Sequence, residues 1–500
     1  MKVKLRPGTQ FVPAPRGVRC TRADDSFLLT GPPALFPLID GCLGDLYDGT
    51  TVEELLATVA APARPALDRV VAVLLERDAL FTVDPTVAPP PDRETAARYA
   101  DVLAYLEEHC AQPYAAFATL RQTTVTVLGD GPAASSARSG LAAAGIGTGG
   151  ADADLVVAVD VAPPAGVPVL PVRARPDGVL VGPVLPDRGA LPRLTAAMDR
   201  AQQWQRTLAS GAAPLPVGAV LAGSLAARRV LDHLLGRAAR TLTVVHGPAA
   251  DTVEVPLASE SPVDLTEPWR GWAVPLPEPA PVPPLRRVAR QPVDGSPAVH
   301  GWGVTTAAAE ADALLALARA RCGTGLDAGR VAAAGFDEPR RLLDGGLRLI
   351  GADLLRREPG TPAGTDGLSP AARAVAAALR DYHERPVTLR LRRLPAGDWV
   401  LAGAYDRAGG LLAAEWAPGA AAALYATLMA ALATVDAGAA AGPVVLPGTW
   451  TIAQSGDEAV SAALTHLHTL LGGRRLAGDP LVSDPVIGDL PLAYGPMWLE

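Results

Sequence analysis

Apolar residues recur at helical spacing in three blocks of this chain, with short extended runs between them. In the first block Leu67, Val70, Val71, Leu74 and Leu75 fall at i, i+3, i+4, i+7 and i+8, which predicts a helix over Arg64–Asp78. Upstream, Leu35, Leu38, Ile39 and Leu43 predict a helix after Pro32-Pro33, and Thr51 with Glu54 predicts a capping box opening another. Extended pieces at Thr9–Val12, Gly17–Thr21 and Ser26–Leu29 are divided by Pro, Gly and Asp-Asp, so they read as a small β meander. A last strand-like run, Ala79–Val83, closes a winged helix-turn-helix pattern over residues 1–84.

The second block begins with a helical stretch near Arg93–Leu120. An apolar strand, Thr124–Leu128, then runs into Gly129-Asp130-Gly131, followed by a helix through Ala144 and strands at Leu155–Val159 and Val167–Val172. Strand, glycine turn, helix and strand predict a doubly wound α/β domain over residues 93–264. Helices at Thr305–Arg321, Pro370–Tyr382 and Ala417–Val435 alternate with strands at Val387–Leu391 and Trp399–Tyr405, so residues 285–500 read as an α+β domain. Two proline-dense stretches, Asp84–Pro91 and Pro256–Pro284, read as linkers. The expected fold class is therefore multidomain, α+β and α/β.

Composition narrows the function. Hydrophobic residues are 49% of the chain, enough for full cores. The net charge of −8 argues against nucleic acid as a partner. Cys20, Cys42, Cys110 and Cys322 lie far apart, against a zinc ribbon, a disulfide scaffold or a redox pair. Neither a membrane span nor a secretory segment is expected, so the chain reads as cytoplasmic.

Candidate chemistry is sparse. Gly129-x-Gly131, with Ala134 and an acid at Asp160, is an incomplete dinucleotide fingerprint, better read as a tight turn without nucleotide. The histidines have no partner at ligand spacing, so no metal is expected. No nucleophile–base pair is evident, so no catalytic residue and no cofactor are expected. The winged unit offers more. As a DNA binder its third helix would expose Asp68, Arg69, Ala72, Glu76 and Arg77, a poor match to a phosphate backbone. As a peptide binder it would add an incoming strand at the exposed edge near Ser26–Leu29. The contacts would be Phe27, Leu28 and Leu29 on the strand, Arg69, Val73 and Arg77 on the helix, and Arg16, Arg19 and Arg22 as a basic rim suited to an acidic peptide. A purely structural cap is the third reading.

Leu5-Arg6-Pro7-Gly8, then Leu46-Tyr47-Asp48-Gly49-Thr50-Thr51-Val52-Glu53-Glu54-Leu55, then the helix ending at Leu80-Phe81, resemble the PqqD-like precursor-peptide recognition element. Val127-Leu128-Gly129-Asp130-Gly131-Pro132, with Pro168–Val172 leading to Val181-Gly182-Pro183-Val184, resembles a ThiF-like domain. In this order the two resemble the ocin-ThiF-like leader-binding partner proteins of thiazole/oxazole-modified peptide and thiopeptide pathways. The resemblance implies a non-catalytic subunit that binds a precursor's leader and presents it to a separate YcaO cyclodehydratase. Relatives with a structural zinc carry paired cysteines; Gly189–Leu194 and Pro256–Asp264 carry none here, which implies no zinc.

Gly301-Trp302-Gly303-Val304-Thr305-Thr306 and the helix after it resemble the opening of a YcaO domain, which binds ATP and magnesium through helix carboxylates. The helix Ala307–Arg321 has only Glu310 and Asp312, and the one after Glu415–Gly419 has none before Asp436, which implies a degenerate domain. A homodimerisation or docking domain accounts for the segment equally. Two other classes stay open: a ThiF-like enzyme that adenylates a peptide carboxylate, and a winged-helix DNA-binding regulator.

Overall fold

The computed structural model describes all residues except 1, 23–24, 151–152, 187, 209–216, 258–263, 278–284, 324–325, 358–359, 365–366, 394–397 and 438–450. The protein is mixed α/β and multidomain. It divides into two compact units, Met1–Pro192 with Ala212–Glu254, and Arg193–Gly211 with Val255–Glu500.

The first unit starts with β1 (Lys2–Leu5), β2 (Gln10–Ala14), β3 (Gly17–Arg22) and β4 (Asp25–Thr30). Then come α1 (Leu35–Asp40), α2 (Leu43–Asp48), β5 (Thr50–Thr51), α3 (Val52–Ala57), α4 (Arg64–Glu76) and β6 (Leu80–Val83). Two antiparallel sheets result, β5-β1-β6 and β2-β3-β4. The capping box forms: Thr51 Oγ1 accepts the Glu54 N–H at 3.1 Å, and Glu54 Oε2 accepts the Thr51 N–H at 2.9 Å. β1 goes beyond the sequence expectation. Lys2-Val3-Lys4-Leu5 alternates too briefly to stand out, and becomes a strand because Val3 and Leu5 are buried while β6 pairs all four positions.

The expected helix over Arg93–Leu120 is three helices: α5 (Arg93–Arg98), α6 (Ala100–His109) and α7 (Pro113–Gln122). Pro113 opens α7, and its ring disfavours helical backbone at the residue before it. The chain continues with β7 (Thr124–Leu128), α8 (Gly131–Ala143), β8 (Gly147–Thr148), β9 (Leu155–Val159), β10 (Val169–Arg175) and β11 (Gly178–Val181). After α9 (Leu191–Thr207) come α10 (Val217–Leu234), β12 (Thr241–His246) and β13 (Asp251–Pro256). These strands form one seven-stranded mixed sheet, ordered β13-β12-β11-β10-β9-β7-β8. It is parallel from β8 to β10 and antiparallel from β10 to β12. All five residues of β9 are buried, as befits a strand covered on both faces.

Two expected boundaries are not breaks in packing. Phe81 and Val83 join one apolar cluster with Tyr99, Leu106, Phe117 and the large sheet, across the Asp84–Pro91 stretch. From Arg193 onward α9 groups with the second unit, not with residues 93–192.

The second unit continues through β14 (Ala273–Pro275), β15 (Arg286–Pro292), β16 (Val299–Gly303), α11 (Thr306–Gly323), β17 (Val331–Gly335) and α12 (Glu338–Arg357). Next are β18 (Thr361–Pro362), α13 (Pro370–Asp381), β19 (Thr388–Arg393), β20 (Trp399–Tyr405), β21 (Leu411–Pro418) and α14 (Ala420–Ala437). It closes with α15 (Asp457–Leu470), β22 (Leu476–Gly478), β23 (Leu481–Asp484) and β24 (Gly488–Leu499). Its sheets are β14-β15-β16, β18-β19-β20-β21 and β17-β24-β22, with β23 paired to β24. The expected Pro256–Pro284 linker holds core residues, since Leu265, Trp269 and Trp272 are buried. Pro279, Pro281, Pro283 and Pro284 of that stretch lie outside the described residues. Among the described residues no helix is long and apolar enough to cross a membrane.

Candidate functional site

The register of β2, β3 and β4 decides which backbone groups face outward. Beyond the Gly17–Thr30 pair, the Gly31 N–H donates to the Arg16 carbonyl at 3.1 Å. Antiparallel pairs alternate between hydrogen-bonded and non-hydrogen-bonded, so Val18–Leu29 and Cys20–Phe27 bond across the ladder. The main-chain groups of Ser26, Leu28 and Thr30 therefore point away from β3. Pro13 checks this phase from the other side of the sheet. It sits opposite Val18 at a non-bonded position of the β2–β3 ladder, where its missing N–H costs nothing. The Ser26 N–H is engaged by Asp25 Oδ1 at 2.8 Å. Among the described residues, nothing pairs with the N–H or C=O of Leu28 or Thr30.

Gly17 makes the close β3–β4 approach feasible. Its φ is +147°, and a Cβ there would stand 1.9 Å from the Leu29 carbonyl oxygen.

Helix α4 borders the strand. It buries Leu67, Val70, Val71 and Leu74, leaving Arg69, Val73 and Arg77 as an i, i+4, i+8 stripe, half-buried at Val73 and exposed at the two arginines. The Arg77 guanidinium stands 5.7 Å from the Phe27 ring centroid, so strand and helix meet there. Phe27 and Arg77 thus mark where β4 meets the C-terminal end of α4.

The other expected contacts are placed differently. Leu29 is buried in the core of this sheet, because strand alternation turns it inward with Phe27. Leu28 and Arg19 are cross-strand partners on the opposite face, both exposed, with Arg19 Nε donating to Ser26 Oγ at 2.8 Å. Arg22 is not a free rim charge. It donates to Asp78 Oδ2 at 2.9 Å and to the Glu108 carbonyl at 2.7 Å. Arg6 reaches the same carboxylate at 2.8 Å and the Cys110 carbonyl at 3.0 Å, while Lys4 meets Glu107 at 2.6 Å. Half of the basic N-terminus therefore ties the sheets to α6 and its C-terminal end, a use that linear sequence does not reveal. Arg16 is exposed. Behind the strands, burial and then the Asp25 charge push the Cys20 thiol up to about 11.

The glycine turn after β7 is tight at Gly129 and open at Gly131, where a Cβ would meet nothing within 4 Å. A Cβ on Gly129, whose φ is +95°, would stand 2.2 Å from the Val159 carbonyl oxygen, so this glycine serves packing against β9. Arg138 Nη2 folds back onto the carbonyls of Val127 and Gly129, both at 2.9 Å. Asp160, the acid of the incomplete fingerprint, accepts from Arg175 Nε at 3.0 Å and from the Ala174 N–H at 3.2 Å.

In the second unit the structure adds acids that helix-by-helix reading missed. Glu310 is exposed, but the Asp312 carboxylate accepts the Trp302 N–H at 3.0 Å, and burial raises its pKa. Asp344, on α12, accepts from Arg348 Nε at 3.0 Å, Arg319 Nη1 at 3.3 Å and the Ala334 N–H at 2.9 Å. Glu415 is buried on β21 and acts electrostatically on Arg348. Asp344 thus meets two guanidinium groups, whereas Asp312 meets a backbone N–H. Among the described residues, no group of three or more His, Cys, Asp or Glu side chains could hold a metal ion.

Three solved structures frame this geometry. The fold is similar along 100% of this chain to a structure titled "Heterocyclase in complex with substrate and Cofactor", covering 94% of that chain at 13% identity and a TM-score of 0.56. It is similar in the same way to the heterocyclase TruD, with a TM-score of 0.50, 13% identity and 94% of that chain covered. A match to MccB of E. coli covers 53% of this chain and 96% of that chain at 11% identity, with a TM-score of 0.35. No family model matches the sequence. No curated protein matches it either.

Proposed function

We propose that the first unit captures an acidic peptide as an added strand on β4, and that the peptide is the leader of a ribosomally made precursor undergoing heterocycle formation. One observation carries the reading: Leu28 and Thr30 present unpaired main-chain groups beside the contact of Phe27 with Arg77. In this reading residues 1–84 are the winged recognition element and residues 93–264 a ThiF-like scaffold. Leu28 and Thr30 supply the ladder, Phe27 and Val73 receive apolar side chains, and Arg69 and Arg77 steer the acidic peptide, with Arg16 and Arg19 outside the groove. Tethering the leader holds the precursor's Cys, Ser and Thr residues near a YcaO cyclodehydratase at an effective concentration of about millimolar. The ion-paired state of Asp344 supports assigning ATP chemistry to that separate partner.

The test is fluorescence anisotropy of a labelled precursor peptide encoded beside this gene, titrated with the full chain and with Leu28→Pro. The full chain is required because Phe81 and Val83 share a core with the residues after them. Proline removes one outward N–H while leaving the β3 ladder intact, so affinity is expected to fall about tenfold with the melting temperature unchanged. Equal affinity for the two proteins sinks the reading.

A second reading has its own support: the fold likeness to a heterocyclase runs the whole length of the chain. The chain itself would then cyclise the precursor. Loss of one water per ring on incubation with precursor, ATP and magnesium, without a partner, would favour it.

A further inference from the structure

The first unit carries a cluster of charged side chains that the peptide groove does not use. Tyr105 on α6 is its centre. Its Oη donates to Asp232 Oδ1 at 2.9 Å and accepts from two guanidinium groups, Arg228 Nη2 at 2.8 Å and Arg237 Nη1 at 3.1 Å. Arg228 Nε also donates to Asp232 Oδ2 at 2.9 Å, so the carboxylate of the cluster is spent on Arg228 and the phenol. Among the described residues Arg237 has no ion pair, and neither has Arg240, three residues on.

The backbone prepares this arrangement. Past the end of α10, Gly236 at a φ of +70° donates its N–H to the His233 carbonyl at 3.0 Å, and the Arg237 N–H donates to the Asp232 carbonyl at 2.7 Å. A Cβ at Gly236 would meet nothing within 4 Å, so glycine serves there for its left-handed backbone alone. The turn brings the Arg237 guanidinium to 5.8 Å from the Tyr105 ring centroid, with that of Arg228 at 4.3 Å.

Two like charges therefore share one oxygen atom, and both arginines are exposed. With Arg240, three guanidinium groups stand against one carboxylate, in a chain whose net charge is −8. The neighbouring charges are matched: Arg22 meets Glu108 at 3.4 Å, and Arg229 meets Glu254 at 2.6 Å. The His109 ring lies 4.6 Å from that of Tyr105, and burial and then Arg237 lower its pKa, so it adds no cation at neutral pH. An incoming carboxylate would relieve the repulsion and take two parallel bonds from the Nε and Nη2 edge of Arg237, which is unengaged among the described residues. Three cations are too few to track a nucleic acid backbone, which favours carboxylates as the occupant. Arg22 joins this region to the groove, since it bonds both Asp78, just past α4, and the Glu108 carbonyl, next to His109.

We propose that Arg237 and Arg228, bridged by Tyr105, form a docking site for the side-chain carboxylates of an acidic peptide segment. The site stands apart from the β4 edge; only the identification of that segment with a flank of the leader rests on the reading above. The full chain is titrated into fluorescein-labelled hexaglutamate at low salt, with anisotropy as the readout and hexaglutamine as the uncharged control. Saturable binding of hexaglutamate alone is expected, with a Kd below about a millimolar. Arg237→Gln should weaken it about threefold, and the double variant Arg228→Gln/Arg237→Gln at least about tenfold, with the salt dependence flattened in both. Leu28→Pro should leave it unchanged. Absence of saturable binding overturns the proposal, as does an affinity that the double variant keeps or equal binding of an oligothymidylate. With the precursor peptide as ligand, loss in Leu28→Pro alone keeps the β4 reading and removes the leader's flank from this site, and loss in the double variant alone does the reverse. Should the double variant fail to fold by circular dichroism, Arg237→Gln decides by itself.

Discussion

The glycine turn after β7 and the outer edge of β4 lie in the same unit and invite opposite first impressions. The turn has the look of a ligand loop, with two glycines opening a helix, yet Gly129 packs tightly on Val159, its carbonyl accepts from Arg138, and nearby Asp160 is held by Arg175. The β4 edge has no motif at all, yet Leu28 and Thr30 keep unpaired main-chain groups beside a helix stripe. The difference teaches that a binding site is marked by unmatched donors and acceptors, not by the residue types that usually surround one.

The strongest way to break this comparison is Gly129→Ala. If the turn is a packing device, the new Cβ collides with the Val159 carbonyl at an unfavourable φ, and stability falls by about 3 kcal/mol. Thermal unfolding followed by circular dichroism reads the loss. A variant as stable as the parent would mean that the turn has room for a ligand.

Asp78→Ala comes next. It removes the carboxylate shared by Arg6 and Arg22, leaving the nearly buried Arg6 with only carbonyl acceptors, at an expected cost of about 1–2 kcal/mol in urea unfolding. Peptide affinity should change less than stability, since Arg22 serves the fold. Arg77→Gln sharpens the groove side: peptide binding should weaken about threefold at low salt, and less at high salt, because exposed charges act by screened attraction.

The smallest effect concerns pH. Cys20 has a folded-state pKa raised to about 11 from an ordinary 9.0, so the folded state holds its proton more tightly than the unfolded chain. Its contribution to stability is whole below about pH 9 and is lost as pH rises toward 11. Denaturant midpoints should decline across that window in the parent and decline less in Cys20→Ala.

Legibility followed the range of the interactions. The β2–β4 meander, the Thr51 capping box, α4 and the α/β opening at β7 were readable because alternation, helical spacing and caps act over a few residues. Pro13 even carried the phase of the open edge, had its missing N–H been used to decide which residues of β3 and β4 bond across. Of the two breaks that split Arg93–Leu120 into three helices, Pro113 signalled only the second. The roles of Arg6, Arg22 and Asp344 were not legible, because their partners lie across distant turns and helices.

Sequence alone therefore determined the local grammar of this protein: which stretches become strands and helices, and which faces turn inward. Tertiary structure decided which charges are neutralised and which backbone groups stay unpaired. The physical reason is that hydrogen-bond matching in a folded chain is a property of pairs, and the second member of each pair is chosen by packing.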